Sequence, residues 1–195
     1  MQREFTLDAR CPACGASQLT MRSMAEDLPY FGQSLITTLA CAQCGLRHTT
    51  TMVLEQHAPR RATLRFRAPE DLSVRVVRSD SCSYTIPELG FKAEPSTASE
   101  AFVTNLEGIL ERVRDVLVRT RLIVDRPEAR AKAEELLDKL QRIQEGREPA
   151  TLVLDDPYGN SQIASDRAVV EELGEEEARS LATGRAVLDV GDVDP

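Results

Sequence analysis

Several classes of protein are disfavoured by what this sequence lacks. Its 195 residues contain no tryptophan, two histidines and only 4% aromatic residues. No apolar run reaches the roughly 20 residues that span a bilayer, and the first residues lack the apolar stretch of a signal peptide. The P-loop, dinucleotide-binding and nucleophile-elbow motifs are missing, and two histidines offer little general-base chemistry. These absences predict a soluble, cytoplasmic protein that is not an enzyme and does not enter a membrane.

The chain also lacks an excess of positive charge, since its formal net charge is −8. The acidic residues concentrate near the C-terminus, where residues 145–195 contain 13 acidic and four basic side chains. Residues 1–52 are neutral, with four arginines against four acidic residues. Because contacts to phosphates need a basic surface, this distribution disfavours nucleic acid as a partner.

Four of the five cysteines form two C-x-x-C-G knuckles, separated by 26 residues. They are Cys11, Cys14, Cys41 and Cys44. Two such knuckles are the signature of a four-thiolate zinc site, because two intervening residues let a tight turn present both sulfurs to one ion. The glycine that follows permits a positive φ, which turns backbone N–H groups toward the sulfurs. Four thiolates fill the tetrahedral shell, so we expect one structural zinc ion.

Other uses of the cysteines remain open at this point. The knuckles are also compatible with a pair of redox C-x-x-C motifs or with an iron–sulfur centre, although a redox motif needs only one pair near a βαβ unit. His48 lies four residues after Cys44 and is a further candidate ligand. Cys82 stands alone, which is typical of an inert packed or surface thiol.

The spacing of apolar residues predicts a β-rich chain interrupted by helices. The expected strands cover residues 18–24, 34–40, 62–67, 72–78, 83–86, 150–154 and 186–190. A possible capping box at 97–100 precedes a helical pattern over about 98–122, and a second helix begins at 125–128 and ends near Gly146. The short link between them predicts an antiparallel helical hairpin. Five glutamates within 171–177 predict a short solvated helix.

These elements predict a fold that is mainly β with α. We expect a zinc ribbon at residues 1–52 and a β domain at 53–165, which carries the helical hairpin at about 98–146. An acidic C-terminal helix and strand fill 166–195. A ribbon of this size is too small to be stable without its metal.

Two loops are candidates for partner binding. The loop at 27–32 contains Leu28, Tyr30 and Phe31, which form either a small core or an exposed contact. The turn-rich stretch 155–161 contains Asp155, Asp156, Asn160 and Ser161. It is either a β-turn closed by its own side chains or a binding loop.

Several segments together resemble the ZPR-type zinc-finger proteins. They are the two knuckles at this spacing and residues 28–32, 76–79, 86–90, 94–95, 101–108 and 152–161. The resemblance covers about residues 8–190, and the chain holds one module, as in the archaeal form, where eukaryotic members hold two. It implies a double-stranded β-helix-like domain behind the ribbon.

The resemblance also implies a function. Family members bind translation elongation factor one-alpha and act as its folding chaperone, so this chain is expected to bind the corresponding GTPase. Leu28, Tyr30 and Phe31 then serve as apolar anchors, and Asp155, Asp156, Asn160 and Ser161 form a polar rim or fix a loop. The alternative is a ribbon that binds nucleic acid in transcription or translation, which the neutral charge of residues 1–52 disfavours.

Overall fold

A computed structural model describes residues 2–7, 9–17, 19–96 and 99–183. The described chain starts with a four-stranded antiparallel sheet, here called the ribbon, in the order β1-β2-β3-β4. Its strands are β1 (Gln2–Leu7), β2 (Leu19–Leu28), β3 (Gly32–Cys41) and β4 (Arg47–Val53). Both knuckles lie at one end of the sheet, because Leu19 pairs with Cys41. The loop at 29–31 closes the β2–β3 hairpin at the other end, about 30 Å away at the usual rise per residue.

The remainder of the described chain, here called the β domain, contains two further antiparallel sheets. One has five strands in the order β12-β5-β10-β7-β8, and the other has three in the order β11-β6-β9. Their strands are β5 (Arg60–Phe66), β6 (Arg75–Arg78), β7 (Ser83–Ile86), β8 (Phe91–Ala93), β9 (Phe102–Asn105), β10 (Ala150–Asp156), β11 (Gln162–Ile163) and β12 (Val169–Glu172). Inward-facing residues of both sheets share one core with the helices.

Two long helices, α1 (Leu106–Ile123) and α2 (Pro127–Gln144), form an antiparallel hairpin on this core. The buried side chains of α1 recur at helical spacing, which places one apolar stripe against the sheets. They are Leu106, Ile109, Leu110, Val113 and Leu117. A short helix, α3 (Glu175–Ser180), follows β12. None of the described helices combines the length and apolar character needed to cross a membrane.

The expected fold class is therefore confirmed, but several boundaries are wrong. Residues 102–105 form β9 and not the start of α1, because they pair with β6, and Asn105 caps α1 by accepting a hydrogen bond from the Gly108 N–H. The strand predicted at 72–78 begins at Arg75, since Pro69–Ser73 form a turn of 3-10 helix. The glutamate-rich segment is split between β12 and α3. The strand predicted at 186–190 and residues 97 and 98 of the capping box lie outside the described residues.

Asp71 fixes the turn that follows β5. Its Oδ2 accepts hydrogen bonds from the backbone N–H groups of Arg67 (3.0 Å) and Ala68 (3.1 Å), and its Oδ1 accepts one from Arg167. The Arg67 N–H, followed by the Arg167 guanidinium and the Ala68 N–H, holds the pKa of Asp71 below its ordinary value. The carboxylate therefore stabilises the folded state in its charged form.

Replacing Asp71 with asparagine is expected to lower the free energy of unfolding by about 1–3 kcal/mol at neutral pH. Because the folded-state pKa is depressed, this stabilisation is present above the unfolded pKa and is lost as the pH falls through the folded pKa. The difference between wild type and D71N should therefore shrink in acid. Urea denaturation at several pH values measures it, with Glu70→Gln as the neighbouring control. A difference that stays constant in acid contradicts this role of the charge.

Candidate functional site

The two knuckles have nearly the same backbone geometry. In the first, the Cys11 N–H donates to Ala16 O and the Gly15 N–H to Cys11 O, both at 2.8 Å. In the second, the Cys41 N–H donates to Leu46 O (2.9 Å) and the Gly45 N–H to Cys41 O (3.0 Å). Both glycines have φ of 75°, and a Cβ there would meet nothing within 4 Å, so the backbone conformation and not space requires glycine.

The four sulfur atoms lie within 4.8 Å of one another. Cys11 and Cys44 approach to 3.7 Å between sulfurs, as do Cys14 and Cys41. A regular tetrahedron with metal–sulfur bonds of about 2.3 Å has edges of about 3.8 Å, so the cluster matches the size of a four-thiolate zinc shell. Backbone N–H groups of Cys44 and Gln43 point at the Cys41 sulfur and, with Cys44 the largest cause, lower its pKa to about 7. This favours the thiolate at Cys41, whereas at Cys14 the Ala16 N–H is outweighed by burial and the neighbouring sulfurs, which raise the pKa to about 12. The match to a zinc shell therefore rests on the geometry of the four sulfurs.

The other candidate ligands lie elsewhere. His48 is exposed on β4, opposite Leu39, and the metal-sized cluster found among the described residues does not include it. Cys82 is fully buried in the core of the β domain, where its thiol donates to Ser83 O and burial raises its pKa. An inert packed thiol is what the sequence led us to expect.

The three apolar residues of the ribbon tip occupy different environments. Phe31 is only 9% exposed and packs with Val53 and Val77, so it joins the ribbon to the β domain and is not an exposed anchor. Leu28 is partly buried against the same cluster. Tyr30 is 49% exposed, and its φ of 73° is the only positive one at a non-glycine residue in the described chain. The Phe31 N–H donates to Leu28 O at 3.1 Å, so Tyr30 is the third residue of the tight turn that closes the hairpin, a position that requires a positive φ after Pro29. A bulky side chain with this φ is strained.

Tyr30 also contacts the β domain through its polar end. The Arg75 guanidinium lies 5.6 Å from the ring centroid and donates a hydrogen bond to the Tyr30 hydroxyl. Arg75 therefore sits at the hydroxyl end of the ring, and its hydrogen bond restrains the orientation of the Tyr30 side chain at the tip. No local sequence pattern indicates Arg75 as a partner of Tyr30, because the two lie 45 residues apart.

The four polar residues singled out in 155–161 are all buried. Asp156 is 1% exposed, and its carboxylate accepts five hydrogen bonds. The donors are the hydroxyls of Ser79, Ser81 and Ser161 and the N–H groups of Tyr158 and Asn160, at 2.6–3.1 Å. Asp155 accepts from Arg61 Nε at 2.6 Å. These residues fix a loop, which was one of the two expected roles, and their burial is at odds with a polar rim.

The loop also holds the segment that connects the ribbon to β5. Asn160 Nδ2 donates to Glu55 O at 2.8 Å, and the His57 N–H donates to Tyr158 O at 2.9 Å. Gly159 lies so close that a Cβ there would come within 2.3 Å of Ala58 O. The buried loop thus clamps the connector, and with it the position of the ribbon. The serine-rich segment 79–83 could have indicated this site from the sequence, since two of its serines donate hydrogen bonds to Asp156.

Comparison with protein families identifies two matching regions. The ZPR1 zinc-finger domain model matches residues 5–54, and the ZPR1 jelly-roll domain model matches residues 70–178. With the four-sulfur cluster, the first match identifies the cysteines as a zinc-binding site, which confirms the predicted cofactor. The second describes the β domain as a jelly roll carrying the helical hairpin, in agreement with the fold expected from the resemblance.

Curated relatives of this chain come from archaea and eukaryotes. An uncharacterized ZPR1-like protein of Methanocaldococcus jannaschii is 39% identical over 92% of this chain and 91% of its own length. One from Pyrococcus horikoshii is 36% identical over 91% of this chain and 82% of its own length. The zinc finger chaperone zpr1 of Schizosaccharomyces pombe is 32% identical over 81% of this chain, but the match spans only 35% of that longer protein.

Proposed function

This chain belongs to the ZPR1 zinc-finger family, and we propose that it binds and chaperones the translation elongation factor one-alpha GTPase. Zinc is structural in this proposal, and the protein acts in the cytoplasm without catalysing a reaction. The fission yeast relative carries the name chaperone, which supports a protein client, and the resemblance supplies the identity of that client. The match spans 35% of that longer relative, and the proposal assigns client binding to the single module of this chain.

The observation that carries the proposal is the exposed, strained Tyr30 at the end of the ribbon. A half-exposed aromatic ring that is already restrained by a neighbour loses little conformational entropy on binding, and aromatic residues are enriched at interface hot spots. Arg75 restrains the ring before the partner arrives. Leu28 and Phe31 contribute by packing against the β domain, which holds the tip in place. Asn160 supports binding indirectly by holding the connector, Asp156 and Ser161 support the loop that carries it, and Asp155 pairs with Arg61 on β5.

Tyr30→Asn is expected to weaken capture of the elongation factor by about 30-fold, because hot-spot residues contribute about 2 kcal/mol or more. Asparagine tolerates a positive φ, so the variant should keep its zinc and its thermal stability. Titration calorimetry with purified elongation factor measures the affinity. Tyr30→Phe separates the ring from the hydroxyl that Arg75 contacts.

Met52→Ala is the matched control for this variant. Met52 lies on β4 of the same sheet and is exposed to a similar extent, at 46%. Its replacement should leave the affinity within about twofold of wild type, since truncating a side chain outside a hot spot usually costs little binding energy. An unchanged affinity of Y30N, or an equal loss in M52A, is incompatible with Tyr30 as the anchor.

A further inference from the structure

The edge of β5 is only partly covered by its neighbour. β12 pairs with residues 60–63 of β5, from Val169 opposite Thr63 to Glu172 opposite Arg60. On the other side, β10 pairs with the whole of β5. Among the described residues, 64–66 therefore have no strand partner on this side. Of these three, only Arg65 directs its N–H and C=O there, because Pro59 O accepts from the Leu173 N–H and the direction alternates along β5. Unpaired strand edges are the places where an extended peptide can add to a sheet.

A cleft of about 410 Å³, here called the β5-edge cleft, lies beside this open edge. It is lined by Arg65, Phe66, Arg67, Ala68, Asp71, Pro149 and Arg167. Arg65 and Arg67 flank the buried Phe66, and both are exposed, with Arg67 one residue beyond the end of β5. No hydrogen bond or ion pair in the described part of the chain engages either of these two side chains.

The lining is positive in a chain whose formal net charge is −8. Asp71 is the one acidic residue in the cleft, and its charge is already committed to Arg167 and to two backbone N–H groups. The cleft thus presents arginine donors without a free carboxylate to repel an anion. Just beyond it, Val169 and Val170 at the start of β12 are both more than half exposed, which adds an apolar surface.

We propose that the β5-edge cleft binds an extended acidic segment of a partner polypeptide. The segment lies extended along the end of β5, its backbone pairs with the N–H and C=O of Arg65, and its carboxylates pair with the guanidinium groups of Arg65 and Arg67. Charge complementarity selects an acidic over a basic partner, and the sheet edge selects an extended over a helical one. This surface belongs to the jelly roll and is independent of the ribbon tip and of the proposed client.

The probe is a fluorescein-labelled peptide of about eight alternating glutamate and valine residues, measured by anisotropy with the zinc-loaded full chain. A control peptide with glutamine in place of each glutamate should bind at least about tenfold more weakly than the acidic peptide. Added salt should weaken binding of the acidic peptide, because the ion pairs are exposed. The same acidic peptide with alternate backbone nitrogens methylated should also lose binding. If the methylated peptide binds as tightly as the unmethylated one, strand addition is overturned. This comparison needs only the wild-type protein.

Two double variants locate the site on the protein. R65Q/R67Q should weaken binding of the acidic peptide about tenfold, since two exposed ion pairs are lost. R119Q/R126Q removes the same charge from two exposed arginines of the helical hairpin and should leave binding unchanged. Equal loss in both variants means non-specific attraction and overturns the proposal. The proposal is also overturned if a single-stranded RNA of matched charge binds more tightly than the acidic peptide and R65Q/R67Q abolishes that binding. Y30N should bind the peptide normally, which separates this test from that of the elongation factor.

Discussion

Replacing Cys41 with serine should release the zinc and unfold the ribbon while the jelly roll stays folded. Cys41 is 3% exposed and belongs to a small apolar cluster with Cys11 and Leu19 at the end of the sheet. That cluster is too small to hold the knuckles together, whereas a structural zinc ion contributes about 10–16 kcal/mol in zinc-finger peptides. The jelly roll has its own core of buried side chains and does not depend on the metal.

Metal analysis measures the loss of zinc, and hydrogen exchange measures the unfolding of the ribbon. Wild type should contain about one zinc per chain, and C41S should contain far less. Amides of β2, β3 and β4 should exchange rapidly in C41S, while those of β10 keep their protection. Cys82→Ala is the matched control, because it removes a cysteine outside the cluster and should retain the zinc. Full zinc content in C41S, or unchanged exchange after chelation, contradicts a four-thiolate structural site.

The same variant connects the metal to partner binding. The sulfur cluster and Tyr30 lie at opposite ends of the β2–β3 hairpin, about 30 Å apart. The zinc site therefore does not contact Tyr30, and its influence on the tip passes through the paired strands. We expect C41S to lose capture of the elongation factor together with zinc, and Y30N to lose capture alone. This difference distinguishes a rigid support from a direct contact.

Local patterns predicted the parts of this molecule that depend on local chemistry. The spacing of Cys11, Cys14, Cys41 and Cys44 was enough to predict the zinc site, because each knuckle is one tight turn. The apolar stripes predicted the helical hairpin for the same reason. The start of α1 was wrong because 102–105 pairs with β6, a contact across the chain that helix patterning does not reveal. The domain boundaries at 52 and 165 remain predictions.

The loops were harder to interpret because their partners are distant in sequence. Phe31 looked like an exposed anchor, but Val77 from the β domain covers it. Asp156 looked like a surface turn residue, but two of its donors, Ser79 and Ser81, come from 75–77 residues away. The residue composition of a loop does not show whether it binds a partner or is buried within the fold. That distinction requires knowing which distant residues contact the loop. The strain at Tyr30 was equally hidden, since tyrosine gives no hint of a positive φ.

Asp156 should be the most sensitive position of the jelly roll. Its carboxylate satisfies five donors in a site that is 1% exposed, and Asp156→Ala removes their common acceptor. The Ser79 and Ser81 hydroxyls can still bond each other at 3.1 Å. The N–H groups of Tyr158 and Asn160 and the Ser161 hydroxyl, however, lose this partner. Buried groups without hydrogen-bond partners are costly, and we expect a loss of about 3–5 kcal/mol in the free energy of unfolding. Asp156→Asn keeps the shape but replaces one acceptor oxygen with a donor, so its loss should be smaller, about 2–3 kcal/mol.

Urea denaturation of the zinc-loaded protein, followed by circular dichroism, measures these losses. Asp166→Ala, on the exposed turn before β12, should change the stability by no more than about 0.5 kcal/mol. Because Asn160 and Tyr158 hold the connector, D156A should also speed exchange of the His57 amide, which donates to Tyr158 O. A D156A protein as stable as D166A shows that solvent replaces the carboxylate. Slow His57 exchange in a destabilised D156A shows that the connector is held by other contacts, and that the loop is not its clamp.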